Sequence, residues 1–295
     1  MKFLVFGDTH LKPSGVGFDF EQLQVPGDVD AVLSVGDITH RAGKEDVEYA
    51  RRFFRELDEA GVPVIHVPGN HDHHPYDEAV VEGFENVVSG HRATANFGEL
   101  CVVGWGCEKR SLTPVVDVAE FESLDPSGAR REDQRHAADQ SAEVLESAVF
   151  DYVTGENSGE DLVEKLDIQK EEEQGVFYEA LKRVEEVYEE VSTLLVDQSD
   201  VVFVSHLPPF NCSFDRHHAV GEHEIDREGL HVGSLPLKLA LRTADVSVAV
   251  SGHSHNRGYD TVDGSTHLLN YGFQGVGSFS VSSEGDGFGF EYISS

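Results

Sequence analysis

The chain has 295 residues, 39% of them hydrophobic and 26% charged, and this composition is ordinary for a globular protein with a sizeable core. No run approaches the ~18 consecutive apolar residues of a membrane span, and three cysteines without a CxxC pair suggest neither a disulfide framework nor a structural zinc site. The sequence enters a strand-like run directly, without a charged-then-apolar leader, so the cytoplasm is the expected location.

The formal net charge of −33 is the unusual quantity, since 55 acidic residues stand against 22 basic ones. Such a chain repels itself at low salt, whereas at about 1 M salt the Debye length falls to roughly 3 Å and the repulsion is largely screened. We therefore expect adaptation to a high-salt cytoplasm, as in a halophilic archaeon. The alternative is an acidic protein without that adaptation.

Three short apolar runs, each closed by glycine or proline, predict the first strands: Lys2–Phe6, Ala31–Val35 and Val64–Val67. Between the second and third, apolar residues at helical spacing predict a helix over about Lys44–Ala60. Strand, helix and strand in this order indicate a parallel layer. Open α/β folds bind ligands in the loops after the carboxyl ends of such strands, so a site is expected there.

A further strand is predicted over Leu100–Gly104, followed by an acidic stretch at about 108–175 that lacks alternation. We interpret this stretch as a partly helical insertion, which either caps a site or forms a solvated surface excursion. The segment from Phe177 to Leu195 carries apolar residues three and four positions apart and predicts one long helix. Because its stripe spans fewer than three heptads, core packing is favoured over a coiled-coil partner surface.

Two more apolar runs, Val201–Val204 and Val246–Val250, are predicted strands. The segment from His267 to Tyr292 alternates in a β pattern interrupted by glycines, which predicts an antiparallel finish, that is, antiparallel strands at the end of the chain. No repeat or linker divides the sequence, so we expect a single α/β domain over residues 1–295 with the insertion at about 108–175.

Five short clusters of metal-capable residues follow these strands or lie at sharp turns: Asp8-Thr9-His10, Gly36-Asp37, Gly69-Asn70-His71-Asp72, Ser205-His206 and Gly252-His253-Ser254-His255. Residues two apart in an extended segment point the same way, so Asp8 and His10 can bind one ion. Asp37 can bridge two ions. Mixed oxygen and nitrogen donors suit manganese, iron, zinc, cobalt or nickel better than thiolate-loving ions or calcium. The set predicts a dinuclear metal hydrolase.

In this order and spacing, the clusters resemble the signature of the calcineurin-like metallophosphoesterase superfamily: DxH, GDxx, GNH[DE], an isolated His and GHxH. The resemblance covers essentially the whole chain apart from the insertion. It implies a double β-sandwich flanked by helices, in the layer order αββα. It also implies two ion sites that share Asp37 as the bridging ligand. Their ligands would be Asp8, His10, Asp37 and His255 for one ion, and Asp37, Asn70, His206 and His253 for the other.

The same resemblance implies the chemistry. The cofactors would be two divalent transition-metal ions, with manganese expected first and iron, zinc, cobalt or nickel as alternatives. A hydroxide shared by ions about 3.5–4 Å apart would attack phosphorus. His71 would donate a proton to the leaving oxygen, and no covalent phosphoenzyme would form.

Departures from the pattern bear on the substrate. After Asp37 the chain reads Ile38-Thr39-His40-Arg41, so His40 stands where the protein Ser/Thr phosphatase branch has an acidic residue, and His73 replaces that branch's arginine. The chain therefore does not resemble a protein phosphatase. GDxxH with GNHD is shared with the DNA-repair exonuclease branch, where the extra histidine helps catalysis or phosphate placement. His40 either has that role here or is a supporting or surface histidine, and Arg41 either contacts phosphate or is an exposed arginine at a helix start.

The expected activity is hydrolysis of a small or nucleotide-like phosphomonoester or phosphodiester by a small stand-alone enzyme. One alternative is a DNA-repair-type nuclease, which the absence of a basic stripe opposes because nucleic-acid affinity is largely phosphate neutralisation. In molar salt that objection weakens. A second alternative is a catalytically silent binding module on the same fold, which the complete set of ligand positions opposes. The loop histidines either line the pocket or are solvated: His217, His218, His223 and His231.

Overall fold

The computed structural model describes residues 1–11, 25–40, 43–72, 76–106, 132–216, 231–282 and 287–293. Within these ranges the strands are β1 (Lys2–Phe6), β2 (Ala31–Ser34), β3 (Val64–His66), β4 (Val87–Ser89), β5 (Ala93–Phe97), β6 (Leu100–Trp105), β7 (Val201–Ser205), β8 (Val246–Ser251), β9 (Gly258–Val262), β10 (Thr266–Asn270), β11 (Val276–Ser280) and β12 (Gly289–Tyr292). The helices are α1 (Lys44–Glu59), α2 (Tyr76–Val81), α3 (Glu132–Val153), α4 (Gly159–Lys165), α5 (Glu171–Leu195) and α6 (Leu235–Thr243). A search of the described helices finds none with the length and apolarity that a membrane span requires.

The strands form two six-stranded sheets, in the orders β12-β11-β1-β2-β3-β4 and β5-β6-β7-β8-β10-β9. In the first sheet β1 to β4 are parallel to one another. Strand β11 pairs antiparallel with β1, and β12 pairs antiparallel with β11. In the second sheet β6, β7, β8 and β10 are parallel, whereas the edge strands β5 and β9 are antiparallel. The parallel strands of each sheet therefore carry their carboxyl ends at one edge.

Alternating side chains of β1 show how the layers are built. Phe3 and Val5 point into a buried cluster between the two sheets, whereas Leu4 and Phe6 point into a separate cluster beneath α1 and α2. Because both faces of the parallel strands are covered, these strands are almost continuously apolar. A third buried cluster lies on the outer face of the second sheet, beneath α3 to α6. The layers run helix, sheet, sheet, helix, and the predicted double β-sandwich flanked by helices is confirmed.

The described part of the 108–175 stretch belongs to this outer helical layer. Leu145 and Val149 of α3 and Leu162 of α4 are buried in the same cluster as α5. A capping box in which Ser158 and Asp161 exchange hydrogen bonds starts α4. These helices therefore pack as core rather than as a solvated excursion, and residues 107–131 lie outside the described ranges.

Helix α5 is the predicted long helix, and it begins six residues earlier than the stripe from Phe177 suggested. Its buried side chains face the second sheet, so core packing is found rather than a coiled-coil surface. The expectation of an antiparallel finish is right for β11 and β12, whereas β10 pairs antiparallel with β9 but in parallel with β8. Alternation reports which faces a strand buries, whereas the direction of its partner depends on chain topology.

Candidate metal centre

The predicted metal ligands lie in loops that follow the carboxyl ends of five strands. Asp8 and His10 follow β1, Asp37 follows β2, Asn70 follows β3, His206 follows β7, and His253 and His255 follow β8. Three of these strands belong to the first sheet and two to the second. The structure brings all seven residues together where the ends of the two sheets meet.

The backbone turns sharply at most of these ligands, because five of them have left-handed φ angles. The residues are Asp8 (50°), His10 (45°), Asp37 (52°), His253 (67°) and His255 (58°). Such angles are uncommon outside glycine and cluster at functional sites. Gly36 also has a positive φ, and a Cβ atom on it would lie 2.6 Å from the backbone nitrogen of Gly69. A side chain at either glycine would push apart the loops that carry Asp37 and Asn70.

Hydrogen bonds tie these loops to one another. The N–H of Asp8 donates to the carbonyl of Gly36, and the N–H of Gly252 donates to the carbonyl of His206; both distances are 2.9 Å. The carboxylate of Asp8 accepts the N–H of His253 at 3.0 and 3.1 Å, which joins the first sheet to the second. The site is thereby held as one framework.

One group of ligands consists of Asp8, His10 and His255, whose donor atoms all lie within 4.8 Å of one another. Nε2 of His10 lies 3.3 Å from Nε2 of His255 and 3.7 Å from Oδ2 of Asp37. Nε2 of His255 lies 3.7 Å from Oδ1 of Asp8. Nδ1 of His10 is buried without a hydrogen-bond partner. Imidazole and carboxylate donors therefore face a common point.

The second group lies on the other side of the Asp37 carboxylate. Nε2 of His206 is 3.5 Å from Oδ2 of Asp37 and 2.9 Å from Oδ1 of Asn70. Nδ1 of His253 is 3.0 Å from the same amide oxygen. Nδ1 of His206 lies 2.8 Å from the carbonyl of Val35, so this nitrogen carries the proton and Nε2 offers a lone pair to the site.

Burial shapes the protonation of these groups. It raises the pKa of Asp37 to about 7, helped by the neighbouring Asp72 carboxylate, and raises the pKa of Asp8 well above its ordinary value, helped by Asp37. Burial and neighbouring imidazoles lower the pKa of His10 to about 3, and burial lowers the pKa of His206 to about 4. The imidazoles of His10 and His206 are therefore neutral near pH 7, while the two buried carboxylates lack a compensating positive charge.

This donor set fits divalent transition-metal ions. The donor atoms described above are imidazole nitrogens, carboxylate oxygens and one amide oxygen. They face one another at distances at which their lone pairs repel. A cation between them removes that repulsion and stabilises the ionised carboxylates. The mixture of nitrogen and oxygen donors matches ions of the manganese-to-zinc series.

His71 and His40 lie beside His10. The backbone N–H of His71 donates to Oδ1 of Asp37 at a distance of 2.8 Å, and Nδ1 of its ring lies 2.7 Å from the carbonyl of His40. The His71 ring lies edge-on to His10 at 4.7 Å between centroids, and the His40 ring lies 5.9 Å from His10. Because a carbonyl only accepts, Nδ1 of His71 carries a proton and Nε2 is the ring nitrogen that this contact leaves available.

Asp72 is a site residue to which the sequence assigned no role. It is fully buried, and its carboxylate accepts the backbone N–H groups of Ile38, Thr39 and Gly69 at 2.8–3.1 Å. Burial works to raise the pKa of Asp72, but attraction to His66 and these backbone hydrogen bonds outweigh it and hold the pKa below its ordinary value. Asp72 thus joins the loop that carries Asp37 to the loop that carries Asn70. The position of Asp72 at the end of the GNHD cluster is the sequence feature from which this role could have been predicted.

Asn270, at the end of β10, is a second such residue. Its Nδ2 donates to the carbonyl of Gly252 over 2.8 Å and to Oγ of Ser254 over 3.2 Å. Its Oδ1 accepts the N–H of Gly272 over 2.9 Å. Asn270 therefore holds the loop of His253 and His255 against the loop that follows β10.

The remaining sequence-derived candidates are one arginine and four loop histidines. Arg41 and the loop histidines His217, His218 and His223 lie outside those ranges. His231 is buried, with Nδ1 2.8 Å from Oδ1 of Asp215. It therefore makes a buried contact with Asp215 and does not lie among solvated loop side chains.

Several solved structures are similar to the chain. One crystal structure is 16% identical, covers 99% of each chain and has a TM-score of 0.52, which shows a shared fold. A dimetal phosphatase from Danio rerio is 15% identical over 99% of this chain and 95% of its own, with a TM-score of 0.48. A phosphopantetheinyl hydrolase from Mycobacterium tuberculosis is 14% identical over 92% of this chain and 90% of its own, with a TM-score of 0.46.

No curated protein sequence matches the chain. The sequence profile of the calcineurin-like phosphoesterase family matches residues 1–257, a range that contains the loops of all seven candidate ligands. A match over this much of the chain shows the family, and with it the dinuclear divalent metal site that the family implies. The chain belongs to the calcineurin-like phosphoesterase family.

Proposed function

We propose that this protein hydrolyses a small phosphomonoester or phosphodiester with two divalent transition-metal ions bound at the candidate centre. Family membership supports metal-dependent phosphoester hydrolysis. The observation that carries the proposal is the position of the Asp37 carboxylate, whose Oδ2 lies 3.7 Å from Nε2 of His10 and 3.5 Å from Nε2 of His206. One buried carboxylate thus faces an imidazole from each ligand group.

The two ligand groups define which residues would hold each ion. Asp8, His10, Asp37 and His255 would hold one, and Asp37, Asn70, His206 and His253 the other. Two such ions, when bound, lower the pKa of water toward neutrality and neutralise charge on the phosphoryl oxygens. Manganese is the expected metal, with iron, zinc, cobalt and nickel as alternatives that the same donors accept.

The surrounding residues orient these ligands. The backbone N–H of His71 donates to Oδ1 of Asp37. This hydrogen bond orients the carboxylate so that its Oδ2 faces both ligand groups. The carbonyl of Val35 fixes the tautomer of His206, so that Nε2 offers a lone pair. The two hydrogen bonds from the N–H of His253 fix the Asp8 carboxylate. These contacts set the donor atoms before any ion binds, which reduces the reorganisation that binding requires.

His71 is the proposed proton donor to the leaving oxygen. Its Nδ1–H donates to the carbonyl of His40, which fixes the ring and leaves Nε2 as the atom that gives up a proton. The ring lies against His10, so it stands at the edge of the first ligand group. His40 places its own ring 6.0 Å from that of His71 and is the proposed second catalytic histidine. A phosphate contact by Arg41 remains a proposal from the sequence.

A DNA-repair-type nuclease is the alternative activity, and the position of His40 beside the candidate proton donor favours it. The net charge of −33 opposes it, because binding a polyanion requires basic groups. We accordingly favour a small substrate, while molar salt would weaken this objection because it suppresses phosphate contacts in any protein. Turnover of single- and double-stranded DNA in molar salt, measured beside small esters, separates the two activities.

Metal removal tests the proposal. The full chain, purified in high salt, should contain about two transition-metal ions per molecule by elemental analysis. Excess chelator should abolish turnover of a panel of phosphate monoesters and diesters, and added Mn²⁺ should restore it. Undiminished turnover in excess chelator would contradict metal-dependent hydrolysis.

A further inference from the structure

Phe273 is a large apolar side chain that stays exposed beside the candidate metal centre. Of its surface, 52% is accessible to solvent. Its ring lies nearly parallel to that of His10, with centroids 5.8 Å apart and an interplanar angle of 28°, and 4.9 Å from the ring of His255. The two imidazoles cover part of the ring, and the rest faces solvent at the rim of the site.

The backbone on both sides of this ring is fixed. The N–H of Phe273 donates to the carbonyl of His255 over 3.3 Å, and the N–H of Gln274 donates to the carbonyl of Asp8 over 3.2 Å. The side-chain amide of Gln274 donates to the carbonyl of Thr9 over 3.4 Å. The loop is therefore joined to both ligand-bearing loops of the first group, and its shape presents the aromatic ring outward.

His10 relates this ring to the proposed chemistry. His71, the proposed proton donor, lies edge-on to His10 at 4.7 Å, and Phe273 lies against the same imidazole. A leaving group whose oxygen takes a proton from His71, and whose remaining atoms extend across His10, would reach Phe273. An exposed aromatic face at that place matches a flat ring, since aromatic rings stack with favourable energy beyond simple burial.

We propose that Phe273 forms an aromatic subsite, which stacks against a planar ring carried by the leaving group of the phosphate ester. The inference rests on the proposed function and names its substrate class: esters that bear a nucleobase or another aromatic ring close to phosphorus. Phe273 contacts substrate through its ring face, so it determines specificity without taking part in proton transfer or metal binding.

Two pairs of esters with matched leaving groups test this subsite. A nucleoside 5′-monophosphate and ribose 5-phosphate release the same type of alkoxide and differ in the base. Benzyl phosphate and cyclohexylmethyl phosphate both release primary alkoxides and differ in the flatness of the ring. The wild-type chain should prefer the planar member by roughly 5- to 150-fold in kcat/KM, the range expected for base–aromatic stacking. Preference in the first pair alone assigns a nucleobase, whereas preference in both assigns any flat ring.

Substitution then attributes the preference to Phe273. Phe273→Ala should reduce the ratio within each preferred pair to about 1, and Phe273→Leu should reduce it nearly as far because leucine keeps apolar bulk but has no flat face. Phe273→Tyr should retain the ratio. Phe290→Ala is the matched control, since Phe290 is 37% exposed and stacks on Tyr259 rather than on a site imidazole. It should leave the ratio unchanged.

A binding measurement separates this inference from the proposed function. Calorimetric titration of a nucleoside 5′-monophosphate against ribose 5-phosphate, with Mn²⁺ present, reports stacking even if no ester is hydrolysed. Absence of turnover with every ester contradicts the proposed hydrolysis, whereas tighter binding of the nucleotide that Phe273→Ala abolishes still supports the subsite. Equal preference in wild type and Phe273→Ala, in either measurement, overturns the subsite.

Discussion

The backbone N–H of His71 donates to Oδ1 of Asp37 over 2.8 Å, so the residue that carries the candidate proton donor also orients the candidate bridging carboxylate. The bond uses the main chain of His71 and leaves its imidazole to contact His40 and His10. The two roles can therefore be separated by changing the side chain alone.

Replacing Asp37 by Asn should be among the most damaging ligand changes. The amide cannot carry the negative charge that two cations share, so both ion sites should weaken. Asp8→Asn should weaken mainly the site of His10 and His255. Elemental analysis and turnover of both variants check this difference. Near-normal metal content and rate in Asp37→Asn, or equal metal loss in both variants, would show that Asp37 does not bridge.

Replacing His71 by Asn should keep both metals but slow esters with alkoxide leaving groups by roughly 10²–10⁴-fold, the usual contribution of a general acid. Esters of acidic phenols such as p-nitrophenol should lose much less, because their leaving group departs without a proton. Rates for both ester types, measured with metal content, test the assignment. An equal loss for both types would falsify it and leave His40 as the next candidate acid.

Thermal stability should rise with salt. The net charge of −33 produces self-repulsion that dilute buffer does not screen, and most of the screening is reached by about 1 M salt. The unfolding midpoint should therefore climb steeply with KCl below about 1 M and more slowly above it. Sucrose at equal osmolality is the control for general stabilisation by cosolutes. A midpoint that does not respond to KCl would remove the case for adaptation to a high-salt cytoplasm.

Replacing Asp72 by Asn should lower the free energy of unfolding at pH 7 by about 1–3 kcal/mol, since the amide is uncharged and keeps only one of the two oxygens that accept backbone hydrogen bonds. The folded-state pKa of Asp72 lies below its ordinary value, so its contribution is present above the unfolded pKa of about 4 and disappears as pH falls through the folded value. The difference between wild type and variant should accordingly shrink in acid.

Denaturant unfolding of the metal-free chain in high salt, between pH 3 and 7, measures this effect. Asp263→Asn is the matched control, because the Asp263 side chain is 60% exposed, pairs with Arg242 at 3.3 Å and has a φ angle that asparagine also tolerates. It should change stability by no more than about 1 kcal/mol. A difference for Asp72→Asn that stays constant with pH would mean that its ionised carboxylate does not stabilise the fold.

Residue types and apolar runs in the sequence predicted a parallel layer with metal-capable loops after its strands, because ligand chemistry depends on residue type and strand ends are marked by apolar runs. The two-sheet fold and the division of the ligands between two ions were predicted from the resemblance to the family. The sequence did not predict α6, whose residues Leu235 to Leu241 are all buried. A short helix that is buried on every side has no amphipathic stripe, and a short, largely apolar run of that kind does not distinguish helix from strand.

Other features depend on contacts that residue type does not encode. The carbonyl of His40 accepts from His71 through the main chain, which any residue supplies. Phe273 lies 18 residues after His255 in the sequence, and only the parallel pairing of β10 with β8 brings the two rings together. Asn270, at the end of that pairing, shows the same dependence on topology.

The hydrogen bonds from Asp8 to Gly36 and from Gly252 to His206 use main-chain atoms alone, so no substitution of a ligand side chain removes them. The shape of the cleft and its capacity for chemistry are therefore separable properties of this chain. Descendants that exchanged Asp37 or His206 for inert side chains would keep the same loops and could bind a partner where an ester was once cut. Backbone similarity therefore cannot distinguish an active member of such a lineage from a silent one, whereas the donor atoms that line the cleft can.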